Sequence, residues 1–296
     1  MKFNYDFAGK WKIWFAISLI VIGTGLVFLF TKGFNLSIDF TGGNLLEVKF
    51  AESVDSEQVR GVLRKFDLEK SQLQSSGKDK FIIRTEVLTE KKNSELLQTM
   101  NKDLGETEVI RNRNVSGIIG NELTRNGILA MAIASLLIVA YITWRFEFNF
   151  AIGGIVALLH DVLVMVAFMA ITQLEVDSTF VAAVLTILGY SINDTIVIFD
   201  RIRENMKLRK YKELAPLVND SIMETMRRTI FTGGATIITL VALIVLGGDT
   251  TKIFCTALLV GCISGMYSTI FIASPVWMLM KTKRTPGKKR LTTQKA

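Results

Sequence analysis

Cysteine and histidine are nearly absent from this chain of 296 residues, which has two cysteines and one histidine. Cys255 and Cys262 lie seven residues apart in one apolar run, so they share a helix face, and we expect buried, unreactive thiols. This pattern excludes a disulfide framework and offers no metal-ligand spacing. The sequence also lacks a nucleophile–base pair and a Walker loop. We therefore expect neither an enzyme nor a bound metal or organic cofactor.

Charge is missing from long stretches, although half of the residues are hydrophobic. Uncharged runs that alternate with charge-rich ones are typical of a polytopic membrane protein. The run at 13–30 is followed by "TKGFNLSIDF", which has no A-x-A cleavage site, so we interpret it as a retained anchor. Six runs are long enough to span a membrane, and the last contains Pro275 as a point for a kink: 13–30, 127–144, 148–171, 178–199, 229–248 and 253–280.

The basic residues predict the orientation of these spans. The net charge is +8, and lysine and arginine are concentrated in residues 1–12, 201–228 and 281–296, whereas "TQLEVDS" (172–178) has none. The positive-inside rule then places both termini in the cytoplasm. We interpret the basic residues as topology signals and lipid contacts, with no nucleic-acid partner. Within 201–228, we expect residues 207–226 to form an amphipathic helix on the cytoplasmic membrane face.

Residues 31–126 form an extracytoplasmic segment that is too long for a loop. Alternating patterns predict strands at 44–50, 71–76, 78–87 and 106–115, and helical spacing predicts helices at 55–66 and 91–104. The order β-α-β-β-α-β predicts a small ferredoxin-like α+β domain. It has no histidine or cysteine, so we expect a binding or mechanical role.

Three ionisable residues interrupt the spans, and such residues are costly in a membrane and usually functional. His160 and Asp161 fall in the middle of the third span, and Asp194 lies near the cytoplasmic end of the fourth. An uncompensated buried carboxylate takes up a proton, and a nearby cation favours its release. Ser191 precedes Asp194 by three residues, and Arg228 could reach it if the fourth and fifth spans pack together. The sequence is compatible with a proton relay or with static pairs that fix packing.

Small residues in the spans are typical of close helix packing. We expect this role for six glycines: Gly153, Gly154, Gly233, Gly234, Gly261 and Gly265.

Five motifs in order resemble the SecF family of the bacterial Sec protein-export machinery. "SIDFTGG" (37–43), which contains Asp39, Phe40, Gly42 and Gly43, is similar to the family's G-I-D-F-x-G-G signature, with Ser37 where glycine is usual. The other four motifs are "LLHDVLVM" (158–165), "GYSINDTIVIFDRIREN" (189–205), "RRTIFTGGAT" (227–236) and "GMYSTIFIASP" (265–275).

The resemblance implies a fold like that of resistance-nodulation-division transporters, and a partnership with SecD, the SecYEG channel, its small membrane subunit and the translocating preprotein. It also implies a proton path through Asp194 and Arg228, with the proton gradient as the energy source. Two alternatives remain: a proton-coupled small-molecule efflux transporter of the same superfamily, and a passive scaffold of a membrane complex.

Overall fold

The computed structural model describes residues 5–75, 79–208 and 211–283. The basic tail predicted at 281–296 therefore lies outside the described residues beyond position 283, as do residues 1–4. The chain divides into two compact units, a helical unit of Met1–Asn35 and Leu129–Ala296 and a sheet unit of Leu36–Ile128. The first helix, α1, covers Trp11–Lys32 in the helical unit.

The sheet unit begins with a short helix and a long strand. The helix α2 covers Ile38–Thr41 and leads into β1 at Gly43–Phe50. The helix α3 (Ser56–Arg64) begins after Asp55, whose backbone N–H donates to the Gln58 side chain at 2.8 Å. The next elements are β2 (Gln72–Ser75), β3 (Lys80–Thr85), α4 (Glu90–Leu104) and β4 (Thr107–Val115). Gly105, with φ of 92°, ends α4 in a conformation that glycine adopts readily.

The four strands form one sheet in the order β2-β3-β1-β4, with every neighbouring pair antiparallel. One face carries Leu46, Val48 and Phe50 of β1 and packs on the apolar sides of α3 and α4. Buried and partly buried residues alternate along β3 because successive side chains of a strand point to opposite faces. This architecture confirms the predicted ferredoxin-like domain; only α2 was not expected.

The remaining helices make up spans long enough to cross a membrane, the last two of them jointly. They are α5 (Gly117–Arg145), α6 (Phe148–Thr172), α7 (Ser178–Lys207), α8 (Leu214–Leu246), α9 (Asp249–Ser268) and α10 (Ser274–Lys283). The last two continue one another across a π-helical turn, Thr269–Ala273. The described part of the chain thus contains six apolar helical spans, as predicted, counting α9 through α10 as one.

The centre of the helical unit is formed by α6, α7 and the last span, of which about half is buried, whereas α5 is almost entirely at the surface of the unit. Trp277, Phe150 and Phe199 are fully buried there, and the Phe150 and Trp277 rings stack with centroids 4.8 Å apart. In turn, α1 packs along α6, and α7 packs on both α8 and α9.

The predicted kink at Pro275 takes the form of the π-helical turn directly before it. Proline has no N–H to donate to the carbonyl four residues earlier, so the regular bonding pattern is lost at that point. Within this turn the Ser274 hydroxyl donates to the Thr269 carbonyl oxygen, at 3.2 Å. Single π turns inside α-helices are frequent at functional sites.

The amphipathic segment differs from the prediction. Residues 214–226 are not a separate surface helix but the first turns of α8, which continues without a break into the fifth span. Their apolar side, with Leu217, Val218 and Ile222, is buried within the helical unit. Asn205 of α7 donates to Ser221 at 3.0 Å. Pro216 lies in the first helical turn, where its missing N–H removes no helical bond. Burial against neighbouring helices therefore replaces burial against a membrane surface.

Four of the six glycines expected at helix contacts lie where a Cβ atom would collide with a neighbour. At Gly153 it would lie 2.8 Å from the Ala273 carbonyl oxygen, at Gly261 2.5 Å from Ile187 and at Gly265 3.0 Å from Ser191, and Gly233 faces Met266 closely. At Gly154 the contact is an ordinary 3.6 Å. The close approach expected at Gly234 is absent: no described atom lies within 4 Å, because this residue faces away from the neighbouring helices.

Candidate functional site

Two carboxylates are buried among the described residues of the helical unit. Asp161 of α6 is 0% exposed and Asp194 of α7 is 8% exposed. Both sit in helices whose apolar composition suits a membrane, where a carboxylate is tolerated only with partners or for a function. Their surroundings differ in almost every respect.

Asp161 is held by three serine hydroxyls. Ser264 donates to Oδ1 at 2.6 Å, while Ser191 and Ser268 donate to Oδ2 at 2.6 and 2.8 Å. All three serines are buried, and they come from α7 and α9. Both carboxylate oxygens are thus satisfied, which is what a charged group in an apolar interior requires.

His160 connects this cluster to α1. Its Nδ1 lies 3.2 Å from Asp161 Oδ1, and its Nε2 lies 3.0 Å from the Ser18 hydroxyl. The Ser18 hydroxyl also lies 3.3 Å from the Tyr267 hydroxyl, which donates to the Trp14 carbonyl oxygen at 2.8 Å. The imidazole stacks on the Tyr267 ring with centroids 5.7 Å apart. One hydrogen-bonded network therefore joins α1, α6, α7 and α9, and we call it the His160–Asp161 network.

Asp194 stands outside this network. Within the described part of the chain, its carboxylate has no hydrogen bond and no ion pair, although only 8% of the residue is exposed. Thr195 beside it is bonded elsewhere, to Thr269 of the π-helical turn at 2.9 Å. A lone carboxylate in an apolar interior favours its neutral, protonated form, so this position is chemically suited to binding a proton.

Neither of the two expected partners of Asp194 forms a described hydrogen bond or ion pair with it. Ser191 donates to Asp161 and not to Asp194, because residues three apart on a helix are offset by about 60° and α6 lies on the Ser191 side. Arg228 is exposed and acts on Asp194 only through space, without an ion pair between the two described side chains. The predicted neighbourhood is therefore looser than the sequence suggested.

The motif at 37–43 forms a tight turn in the sheet unit. Asp39 is buried and accepts a hydrogen bond from Arg113 at 2.9 Å. Gly42 and Gly43 have φ of 70° and 125°, and a Cβ at Gly43 would lie 2.5 Å from the Thr85 carbonyl oxygen. Both glycines are thus required by the backbone itself. Phe40 is half-buried, and its carbonyl oxygen lies 3.0 Å from where a Cβ of Gly120 would be.

Sequence reasoning missed four members of the His160–Asp161 network: Ser18, Ser264, Ser268 and Tyr267. Ser264 and Ser268 are four residues apart and so share a helix face, which is a visible signal in an apolar run. Ser18 and Tyr267 gave no such signal because their partners are on other helices. Cys255 and Cys262 are buried and free, as the sequence predicted.

The fold and the site define a class: a polytopic α-helical membrane protein with a small α+β domain after the first span and ionisable groups inside the bundle. The chain belongs to the SecD/SecF family of protein-export membrane proteins. The family model "Protein export membrane protein SecD/SecF, C-terminal" matches residues 95–283, and the model "SecD/SecF GG Motif" matches residues 27–54.

Three relatives illustrate this membership. The chain is 41% identical over 286 residues to "Protein translocase subunit SecF" of Sebaldella termitidis, covering 94% of this chain and 93% of that protein. It is 39% identical to "Protein translocase subunit SecDF" of Bacillus subtilis, covering 94% of this chain but 38% of that protein. The crystal structure of SecDF from Thermus thermophilus, called a translocon-associated membrane protein, matches with a TM-score of 0.85 and 33% identity, over 95% of this chain and 39% of that chain.

Proposed function

We propose that this chain is a subunit of the bacterial Sec protein-export machinery that works with SecD and uses the proton-motive force to promote translocation of polypeptides. The partners would be SecD, the SecYEG channel with its small membrane subunit, the translocating preprotein and the lipid bilayer. The chain would lie in the cytoplasmic membrane with both termini in the cytoplasm, as the basic residues favour.

The burial of Asp194 without a described partner is the observation that supports the proton-driven part of this proposal. A carboxylate that is buried in a membrane-type helix and has no partner among the described residues gains little from staying charged. It binds a proton readily and gives it up when a cation approaches or water enters. Arg228 is the cation whose field reaches it. A proton could therefore load Asp194 from one side of the membrane and leave it towards the other.

The energy of such a step suits a motor that cycles repeatedly. One charge moved through a potential of about 100 mV yields about 2.3 kcal/mol. This is enough to shift a conformational equilibrium by more than tenfold but not enough to pull a folded domain through a channel. Each proton would drive one small advance of an unfolded chain.

The partnership with SecD is supported by the relatives. In Bacillus subtilis and Thermus thermophilus the matching segment is about two fifths of a longer SecDF chain. A separate SecD would supply the remaining part here. The nearly unburied α5 fits a bundle that is completed by helices of another protein.

The two alternatives are less well supported. A small-molecule efflux transporter needs a substrate cleft in its outer domain, and the sheet unit, a small domain built on four strands, leaves little room for one. A passive scaffold does not account for Asp194, because an apolar residue there would cost less.

The test replaces the carboxyl group of Asp194 with an amide of nearly the same shape. In membrane vesicles that contain the complete export machinery, we expect Asp194→Asn to abolish the stimulation of export by a proton gradient while leaving insertion and SecD binding intact. The matched control is Asp200→Asn, on the same helix but half-exposed and paired with Arg145 and Arg203. We expect the proton gradient to stimulate export by this control variant as much as by the wild type. Wild-type stimulation in Asp194→Asn would refute the proton-driven role.

A further inference from the structure

A ladder of polar side-chain contacts joins α7 to α8. Three pairs of residues form its rungs: Tyr190–Thr236 at 3.2 Å, Arg201–Glu224 at 2.6 Å and Asn205–Ser221 at 3.0 Å. The partners run in opposite directions along the two helices, so a step forward on α7 matches an equal step back on α8. Asp194 follows Tyr190 by four residues, and Thr232 precedes its partner on the same rung by four, so the two lie at one level. The third rung, eleven residues away on both helices, gives the same pairing.

The rotation of α7 turns Asp194 towards α8. With about 100° per residue, Tyr190, Arg201 and Asn205 lie at about 0°, 20° and 60° around the helix axis. All three are hydrogen-bonded to α8. On the same scale Asp194 lies at about 40°, which is between them. Asp194 and Thr232 therefore occupy the position of a fourth rung.

No direct contact closes this fourth rung. Within the described part of the chain, no hydrogen bond joins the Asp194 carboxyl to the Thr232 hydroxyl, which donates to the Arg228 carbonyl oxygen at 2.8 Å. The gap is nevertheless narrow, because bonded rungs hold the helices together on both sides of it. Asn205 and Ser221, whose side chains have similar lengths, meet directly at 3.0 Å. The open rung therefore has room for a molecule about the size of water.

The groups around the gap suit water. The Thr232 oxygen keeps its acceptor sites while its hydrogen is given to Arg228, and a carboxyl group binds water in either protonation state. Tyr190 of α7, Arg228 of α8 and Cys262 of α9 interact with Asp194 through space. Asp194 is 8% exposed but Thr232 is exposed, so the gap opens at the surface of the helical unit. A bound water needs at least two polar partners, and this rung supplies them.

We propose that the open rung binds one water molecule between the Asp194 carboxyl and the Thr232 hydroxyl, with Thr232 as the positioning residue that holds this water. When Asp194 gives up its proton, the water oxygen accepts it, and the water releases one of its own hydrogens to solvent at the exposed side of Thr232. Loading of Asp194 runs in reverse. This transfer rests on the proposed function, whereas the water site itself does not.

Cysteine reactivity shows whether water occupies the rung, because only an ionised thiol reacts quickly and an apolar environment suppresses ionisation. In a chain that carries Cys255→Ala and Cys262→Ala, we compare Thr232→Cys with the matched control Phe231→Cys. Phe231 is the preceding residue, at nearly the same depth but on another face of α8, and it is 66% exposed. In the assembled export complex in lipid nanodiscs, we expect a charged thiol reagent to react with Thr232→Cys at least about tenfold faster than with Phe231→Cys.

Equal rates in the two cysteine variants would overturn the water site. Slow reaction of both would mean that water does not reach the rung. Fast reaction of both would mean that reactivity follows depth in the membrane and not the face of α8.

Thr232→Val tests the positioning role, because valine has nearly the shape of threonine without its hydroxyl. We expect proton-stimulated export to fall about fivefold, as for the loss of one hydrogen bond. The infrared carbonyl band of protonated Asp194 should also move to higher wavenumber, since the hydrogen bonding of that carboxyl group weakens. Thr232→Ser keeps the hydroxyl and should match the wild type in both measurements. An unchanged export rate or an unchanged band in Thr232→Val, or an equal loss in Thr232→Ser, would overturn the role of Thr232.

Asp194→Asn separates this inference from the proposed function, because the thiol reaction does not depend on export. Normal proton-stimulated export in Asp194→Asn would refute the proposed function, and fast reaction of Thr232→Cys would still support the water site. Conversely, loss of stimulation in Asp194→Asn together with slow reaction of Thr232→Cys would refute the water site and leave the proposed function standing.

Discussion

Two aspartates on neighbouring helices have opposite surroundings. Asp161 is enclosed by three serine hydroxyls and His160, whereas Asp194 has no described hydrogen-bond or ion-pair partner. A satisfied buried carboxylate resists any change of charge, because a change would leave several donors unpaired. A buried carboxylate without such donors can gain or lose a proton without leaving any donor unpaired. The difference between the two residues lies in their neighbours and not in their depth, since both are buried.

Arg228 should act on Asp194 through its charge more than through the shape of its guanidinium. No bidentate pair forms between the described side chains, so the planar fork of arginine is not used there. We expect Arg228→Lys to keep a substantial part of the proton-stimulated export rate and Arg228→Ala to lose most of it. Export measured in the same vesicles decides this. Equal rates in Arg228→Ala and the wild type would remove Arg228 from the mechanism.

At the residue scale, the sequence predicted which ionisable residues are buried inside the spans better than it predicted their contacts. His160, Asp161 and Asp194 were found because charge inside an apolar run is visible in one dimension. The sequence did not predict which carboxylate Ser191 contacts, because the rotation of α7 and the position of α6 decide between Asp161 and Asp194. Ser18 and Tyr267 are separated by 249 positions in the chain, and only packing brings them together.

At the scale of elements, glycine sets the distance between α1 and α6. A Cβ at Gly25 would overlap both the side chain and the backbone of Ala167, whereas a Cβ at Gly23 would meet no described atom within 4 Å. We expect Gly25→Ala to force the helices apart and to lower the free energy of unfolding by about 1–3 kcal/mol. The matched control Gly23→Ala should leave it unchanged or slightly higher. Thermal unfolding in lipid nanodiscs measures both, and equal effects would contradict this packing.

The sequence predicted the number of membrane helices because apolar length alone reports it, but it did not predict where α8 begins. Residues 214–226 have an apolar side that would suit a membrane surface or a neighbouring helix equally well. In the structure this apolar side packs within the helical unit, where Leu217, Val218 and Ile222 are buried. Amphipathic spacing identifies a helix and its buried side, not what covers that side.

At the scale of the whole molecule, the sheet unit and the helical unit are separately compact. The β-α-β-β-α-β pattern was predictable because strands and helices differ in period and are separated by clear caps and turns. The sequence does not reveal how such a unit takes part in export. If the chain has the proposed function, we expect the sheet unit to transmit conformational changes of the helical unit to the emerging polypeptide.

Removing residues 44–115 tests whether the sheet unit is needed for proton-stimulated export. We expect the shortened chain to insert and to bind SecD, because the six apolar helices remain, but to lose proton-stimulated export. Phe81→Ala should reproduce the loss, since Phe81 is 1% exposed in the core and its truncation costs about 3–5 kcal/mol. Ile110→Ala, at a position 42% exposed on β4, is the control. Full stimulation in the shortened chain would exclude the sheet unit from the mechanism.

The most direct measurement asks whether Asp194 itself gains and loses a proton. Infrared difference spectra of the assembled export complex, recorded as the external pH is stepped, should contain a carbonyl band of a protonated carboxyl group that is absent in Asp194→Asn and present in Asp200→Asn. The account predicts that this band rises on acidification and falls when the proton gradient is reversed. A carboxylate at position 194 that stays ionised throughout, with the same spectra in wild type and Asp194→Asn, would contradict it.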